Sequence, residues 1–278
     1  MFRGKHSGIN KPTDSNRFFA FVSVCKYDIH YREVICMRST NKPFSITESR
    51  NRIRAILDAE NYNEEVENIP LEDNVGLKSG YYVNAMIISV DLRDSTGLIK
   101  RFQKRVVARI LRAYISELTA IMNSPKSCRY LSIQGDGMFG VYNCRNKEEI
   151  IEAYLIAPAI NSVIKLLNKE FERKGYSYEM KVGIGLDMTK ILMIKGGFRG
   201  ESINEILWIG EAINTATHIA KTMNKEISNP IGMTESIYAV LTKHDQSLYR
   251  LQYSLKLLRN IYIGSVVLTK YDDFTGSY

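Results

Sequence analysis

From Tyr81 to Gly97 the sequence reads YYVNAMIISVDLRDSTG. An apolar run ends at Asp91 and gives way to a short polar loop. From Leu98 the pattern changes period. Leu98, Phe102, Val106, Ile110, Tyr114, Leu118 and Ile121 recur at spacings of three and four, which predicts a helix. Lys100, Arg101, Lys104, Arg105, Arg109 and Arg112 fall mainly on its other faces and read as a solvated surface rather than a nucleic-acid contact. Two short apolar runs follow, Tyr130 to Gln134 and Met138 to Tyr142, joined by Gly135-Asp136-Gly137. They predict a hairpin whose Asp-Gly pair supplies the positive φ angles of a tight turn. Glu148 to Lys174 is helical with a break or kink at Pro158. Tyr178 to Leu186 and Lys190 to Ile194 read as another hairpin, Ile203 to Ile209 as a further strand, and Gly210 opens a helix to about Asn224. Strand, helix, hairpin, helix, strand is the order of a ferredoxin-like α+β sheet.

Upstream the signal is weaker. Arg17 to Met37 carries short runs of Phe, Val, Ile and Tyr that suggest one or two strands, behind a mobile first dozen residues. Ser45 to Ala59 predicts a helix capped by Ser45 or Thr47, with Ile53, Ile56 and Leu57 on one face. Asn61 to Gly80 is polar, acidic and contains Pro70, so it reads as a linker. The division expected is an N-terminal extension of unknown role over 1–78 and one large domain over 79–278. The chain is 278 residues long, 45% hydrophobic and 24% charged, the composition of a globular protein with a sizeable core. A net charge of +8 favours anionic partners without choosing among nucleic acid, nucleotides and acidic membranes. The absence of an apolar run of about 18 residues and the polar stretch Met1 to Asn16 argue against a spanning helix and a secretory signal. Cys25, Cys36, Cys128 and Cys144 have no CxxC spacing and read as reduced thiols of a cytoplasmic protein; with four histidines, a zinc site is not expected.

The strand order makes a geometric prediction. Asp91 at the end of the first strand and Asp136 in the hairpin turn should meet at one sheet edge. Two such carboxylates repel unless a cation sits between them, and oxygen-only ligation favours Mg²⁺ or Mn²⁺ over zinc. Singly, each has a bland role, Asp91 as a helix cap and Asp136 as a turn residue. The loop Arg93, Asp94, Ser95, Thr96 and Gly97 leads into a helix N-terminus, whose free N–H groups and dipole suit a polyphosphate. Carboxylates for metal beside a phosphate cradle suggest nucleotide chemistry.

At this point the sequence resembles the class III nucleotide cyclases, over roughly Tyr81 to Met223. The family's strand–Asp–loop–Thr element is Ile88 to Thr96, its Gly-Asp hairpin is Ile133 to Gly137, its Gly-Ile-Gly strand is Gly183 to Gly185, and its glycine-led Val-Asn-x-Ala helix is Ile209 to Ala216, with Ile213 for Val. The resemblance implies head-to-tail homodimers with two shared sites. It implies that Asp91 and Asp136, helped by the Leu92 carbonyl, hold two divalent ions, Mn²⁺ or Mg²⁺, and that Asn214 orients the ribose from the partner subunit. Where the family carries a transition-state Arg one turn after the Asn, this chain has His218, on the same helical face but without a bidentate fork. Lys221, Arg199 and Lys195 are the candidates to replace it.

The base-reading positions also depart from the purine cyclases. They carry Ser132 and Leu207 here, with Trp208 at the pocket wall, and a shift of alignment would bring in Glu205. A small pocket excludes a two-ring base by volume. Ser95 stands where purine enzymes commonly have Phe, and Asp91 to Thr96 looks like the version in the pyrimidine cyclases of bacterial Pycsar anti-phage systems. That resemblance implies a uridylate cyclase making cyclic UMP from UTP, with CTP and cyclic CMP as the alternative, whose product is read by a separate cyclic-nucleotide-binding effector. No nucleic-acid or membrane partner is implied. The competing readings are a catalytically degenerate nucleotide-binding dimerisation module, supported by His218, and a polymerase-type palm, in which the Asn helix has no role.

Overall fold

The strand that ends at Asp91 is the spine of the sheet. A computed structural model describes residues 41–60, 62–197 and 204–269. All of them fall within Met37–Tyr278, which forms one compact unit. The strands expected over Arg17 to Met37, together with Cys25, Cys36 and Arg199, lie outside the described residues.

The elements are α1 (Ile46–Leu57), β1 (Tyr62–Glu65), β2 (Ser79–Leu92), α2 (Ser95–Arg101), α3 (Lys104–Met122), β3 (Cys128–Gln134), β4 (Gly137–Asn143), α4 (Lys147–Tyr154), α5 (Ile156–Arg173), β5 (Val182–Gly197), β6 (Asn204–Ile209), α6 (Glu211–Thr222), β7 (Ile231–Met233), α7 (Glu235–Tyr238), α8 (Lys243–Ser247), β8 (Arg250–Ser254) and β9 (Arg259–Gly264). The sheet runs β3-β4-β2-β5-β7-β9-β8, with β1 on β2 and β6 on β5. Its first four members, in that order, are the ferredoxin-like α+β core expected from sequence.

Both faces of β2 are buried. Met86, Ile88, Val90 and Leu92 pack with Ile110, Tyr114, Leu118 and Ile160 of α3 and α5. Val83, Ala85 and Ile87 point the other way, to Ala212 and Ala216 of α6. Two-sided burial explains an unbroken apolar run in place of an alternating one. α4 and α5 belong to the core as well: together, Lys147–Arg173 is long and apolar enough to cross a membrane by composition, yet 72% of its most apolar window is buried inside the fold.

Four local readings are corrected. The hairpin expected over 178–194 is one continuous strand, β5, paired with β2 from Val182↔Leu92 to Ile194↔Gly80. The polar Asp187-Met188-Thr189 step is not a turn, because the buried Asp187 carboxylate accepts bonds from the Met188 N–H (2.8 Å) and the Thr234 hydroxyl (2.5 Å). The stretch read as a linker contributes β1, which pairs with β2 in parallel, and the buried side chains Ile69 and Val75. The helix expected from Leu98 to Ile121 is two, since Phe102 adopts extended dihedrals and places its ring edge-on to Tyr176 and Tyr178. The kink expected at Pro158 falls at Leu155, where the chain leaves α4; Pro158 then sits in the first turn of α5, where its missing N–H costs little.

Helix α1 starts as expected, with the Ser45 hydroxyl accepting from the Glu48 N–H at 3.4 Å. Ile53, Ile56 and Leu57 do share a face, but each is more than half exposed.

Candidate active site

Antiparallel pairing of β2 with β4, ending at Val90↔Met138, brings the β3–β4 turn alongside the end of β2. The turn consists of Gly135 and Asp136, and its left-handed residue is Gly135 (φ 65°) rather than the Asp-Gly pair expected. Asp91 and Asp136, separated by 45 residues, therefore stand at one sheet edge, both half-buried. Leu92 pairs with Val182 and buries its side chain in the core, leaving its backbone carbonyl as the group it offers.

Arg93 is committed to this edge. Its guanidinium forms an ion pair with the Asp91 carboxylate, donates to the Asp91 carbonyl (3.1 Å), and donates to the Lys221 carbonyl at the end of α6 (2.8 Å). Burial lowers its pKa from the ordinary arginine value, while nearby Tyr114 and Asp136 oppose the shift. Asp94 caps α2 in a left-handed conformation (φ 54°), its carboxylate accepting from the Gly97 N–H. Of the loop expected to cradle phosphate, one N–H is thus already taken, and Ser95 and Thr96 provide the helix's first turn.

Two tyrosines complete the edge, and sequence reading gave neither a chemical role. Tyr114 is fully buried on α3, and among the described residues neither its hydroxyl nor the buried Tyr178 hydroxyl has a hydrogen-bond partner. Burial first, then the charge of Asp136, raises the Tyr114 pKa well above the usual phenol value, with Arg93 pulling it down. Tyr178 is pushed up to about 12 by burial, then by Asp94 and Asp136. Within the apolar stripe of α3 the only clue in the sequence was a Tyr where Leu or Phe would fill the space.

The glycine motif places α6 over this edge. A Cβ on Gly183 would lie 2.0 Å from the Ala220 carbonyl oxygen, and one on Gly185 would lie 2.0 Å from that of Ala216. Only glycine lets the α6 backbone rest on β5 this closely. Gly210 answers the same need, its Cβ position lying 2.5 Å from the Ile191 side chain. With Ala212, Ala216 and Ala220 facing the sheet, α6 exposes Glu211, Asn214, His218 and Lys221. His218 is therefore not a core histidine, and the spacing of about 6 Å per four residues keeps it above Asn214.

Three of the residues expected to read the base, Ser132, Glu205 and Trp208, gather around Tyr130, which sequence reading had passed over. Its ring lies edge-on to Trp208 with centroids 5.6 Å apart, and its hydroxyl donates to the Glu205 carboxylate at 3.2 Å. Burial, then Glu205, raises the Tyr130 pKa to about 12, and a hydrogen bond with Ser132 lowers it. Ser132, Glu205 and Trp208 are thus linked through one phenol. Leu207 is not part of the group: it stands on the face of β6 opposite Trp208, lies 47% exposed and covers Gly196.

Among the described residues no group of three or more His, Cys, Asp or Glu could hold a metal ion. Two carboxylates beside unpartnered buried hydroxyls do fit a hard cation that takes its remaining ligands from phosphate, as Mg²⁺ does.

No protein-family model matches the chain. Two curated relatives, both named uridylate cyclase, come from Gulbenkiania mobilis (36% identical over 209 residues, 73% of this chain and 81% of the relative) and Treponema porcinum (32% over 198 residues, 71% and 68%). Among solved structures, a class III adenylyl cyclase-like ATP-binding protein from Pseudomonas aeruginosa superposes with a TM-score of 0.60 at 16% identity, covering 83% of this chain and 49% of that one. The adenylyl cyclase CyaB from P. aeruginosa superposes at 0.56 and 15% identity, covering 66% and 93%. At such identities these two establish the fold.

Proposed function

The chain belongs to the uridylate cyclases, built on the class III nucleotide cyclase fold, and from that premise we propose that it converts UTP to 3′,5′-cyclic UMP and pyrophosphate. The observation that carries the reading is the 36% identity to a uridylate cyclase over most of the chain; the register that brings Asp91 and Asp136 to one end of the β2–β4 pair supports it. In the reaction the ribose 3′-oxygen bonds to the α-phosphorus as the bond to the β-phosphate oxygen breaks; the 3′-hydroxyl proton leaves and pyrophosphate carries off the charge.

Asp91, Asp136 and the Leu92 carbonyl are the groups that would hold two divalent ions, Mn²⁺ or Mg²⁺. When bound, such ions acidify the 3′-hydroxyl and stabilise charge on the leaving pyrophosphate. The chain's own residues then position the substrate. Ser95 and Thr96 receive the triphosphate at the head of α2. Arg93, paired with Asp91, offers a guanidinium beside the triphosphate. Asn214 and His218, exposed on α6, act on the ribose and the reacting phosphate of the site in a second copy of the chain, giving a homodimer with two shared sites. Tyr130, Ser132, Glu205 and Trp208 wall the base. The free thiols Cys128 and Cys144 suit the reducing cytoplasm. The product is a soluble messenger that a separate cyclic-nucleotide-binding effector reads in anti-phage defence, as in the systems that the sequence resembles.

The test is to incubate purified protein with each of the four NTPs and Mn²⁺ and identify products by mass. Cyclic UMP as the dominant product is expected. Cyclic CMP in its place would move the assignment to the other pyrimidine, and cyclic AMP would overturn the pyrimidine reading. Trp208→Ala is expected to lower the ratio of kcat/KM for UTP over ATP by about 10-fold or more, because the wall that misplaces a purine is gone. An unchanged ratio would leave Trp208 as core packing alone.

A further inference from the structure

Among the described residues the buried hydroxyls of Tyr114 and Tyr178 have no hydrogen-bond partner. Tyr114 is fully buried and Tyr178 is clasped between the rings of Phe102 and Phe171, at centroid distances of 6.1 and 6.3 Å. Phenylalanine would fill either place equally well, and without the penalty that a buried donor lacking a partner carries. The buried Tyr142 of the same core, by contrast, donates its hydroxyl to the Met122 carbonyl at 2.9 Å. Tyr114 shares a buried cluster with Val90, Leu92 and Met138, which flank Asp91 and follow the Asp136 turn, and the charge of Asp136 bears on both phenols.

We propose that Tyr114, with Tyr178 beside it, is a positioning residue for metal binding, its hydroxyl donating to the Asp136 carboxylate when a divalent cation draws that side chain in from the turn. This rests on the assignment of Asp136 as a metal ligand. A bound cation removes the cost of bringing the carboxylate out of water, and the hydroxyl then fixes which oxygen faces the ion. Outer partners of this kind commonly set metal affinity by 10–100-fold, an order-of-magnitude guide.

The experiment is Mn²⁺ titration of the full-length protein, followed by the electron paramagnetic resonance signal of free Mn²⁺, with thermal midpoints recorded in parallel. The proteins compared are wild type, Tyr114→Phe, Tyr178→Phe and Asp136→Asn. In Tyr114→Phe the dissociation constant is expected to rise about 10-fold or more, while the cation-free midpoint stays equal or rises, because an unpartnered donor has been removed. Tyr178→Phe carries the same test should Tyr114→Phe fail to fold. Wild-type affinity in a folded Tyr114→Phe overturns the proposal, as does a fall in affinity matched by a fall in cation-free stability. Wild-type protein that binds Mn²⁺ no better than Asp136→Asn overturns the metal assignment itself, and this inference with it.

Discussion

Asp136→Asn and Asp91→Asn are each expected to reduce cyclic UMP formation by about 10³-fold, below detection in most assays. Each change removes the charge that a divalent ion requires and almost no volume. Their effects on stability should differ. Asp136 stands half-buried on a two-residue turn, and asparagine serves a turn as well as aspartate. Asp91 is the ion-pair partner of Arg93, so its loss costs about 1–2 kcal/mol; the guanidinium keeps its bonds to the Asp91 and Lys221 carbonyls. Turnover at saturating UTP and Mn²⁺, set beside the thermal midpoint and sedimentation of each variant, checks this. Turnover within about 10-fold of wild type would remove the carboxylate from the metal site.

Gly185→Ala is expected to destabilise the protein by about 3 kcal/mol or more, the upper range for overpacking. The new methyl would need the space held by the Ala216 carbonyl oxygen at 2.0 Å and the Ala220 nitrogen at 2.5 Å. Neither partner can yield cheaply. β5 is bonded to β2 on one side and β7 on the other at this residue, and α6 is held to the core by Ala212, Ala216 and Ile219. Any accommodation shifts α6, and with it Asn214 and His218, so residual activity should fall beyond what the loss of folded protein explains. Gly196→Ala is the control on the same strand. Its Cβ would meet the terminal methyl of Leu207, an exposed side chain free to rotate, and a cost below about 1 kcal/mol is expected. Equal unfolding midpoints for the two variants would contradict the close-approach account.

Much of this site was legible because its signals are local. The run into Asp91, the Gly-Asp turn and the glycine-led helix are each written in a few consecutive residues. What escaped the reading depends on distant partners. Asp187 looked like a chain reversal because Thr234 and Ser236, which satisfy it, lie in another element altogether. The acidic composition of 61–80 hid Ile69, whose N–H is bonded by the Asn143 side chain across 74 positions of sequence. Tyr114 was visible only as one apolar residue in a stripe, since nothing in the spacing of α3 tells a phenol that packs from a phenol that also donates. Tyr130 was missed for the same reason: its links to Glu205 and Trp208 exist only once β6 is laid along β5.

The most direct measurement is complementation between two inactive proteins. Asp91→Asn lacks a metal carboxylate and Asn214→Ala lacks the group on α6, so each homodimer has two damaged sites. If every site takes its carboxylates from one subunit and its α6 side chains from the other, a mixed dimer holds one doubly damaged site and one intact one. An equimolar mixture, after verified subunit exchange, should then form cyclic UMP from UTP at about one quarter of the wild-type rate. A mixture that exchanges subunits and stays as inactive as its parents would contradict the shared site.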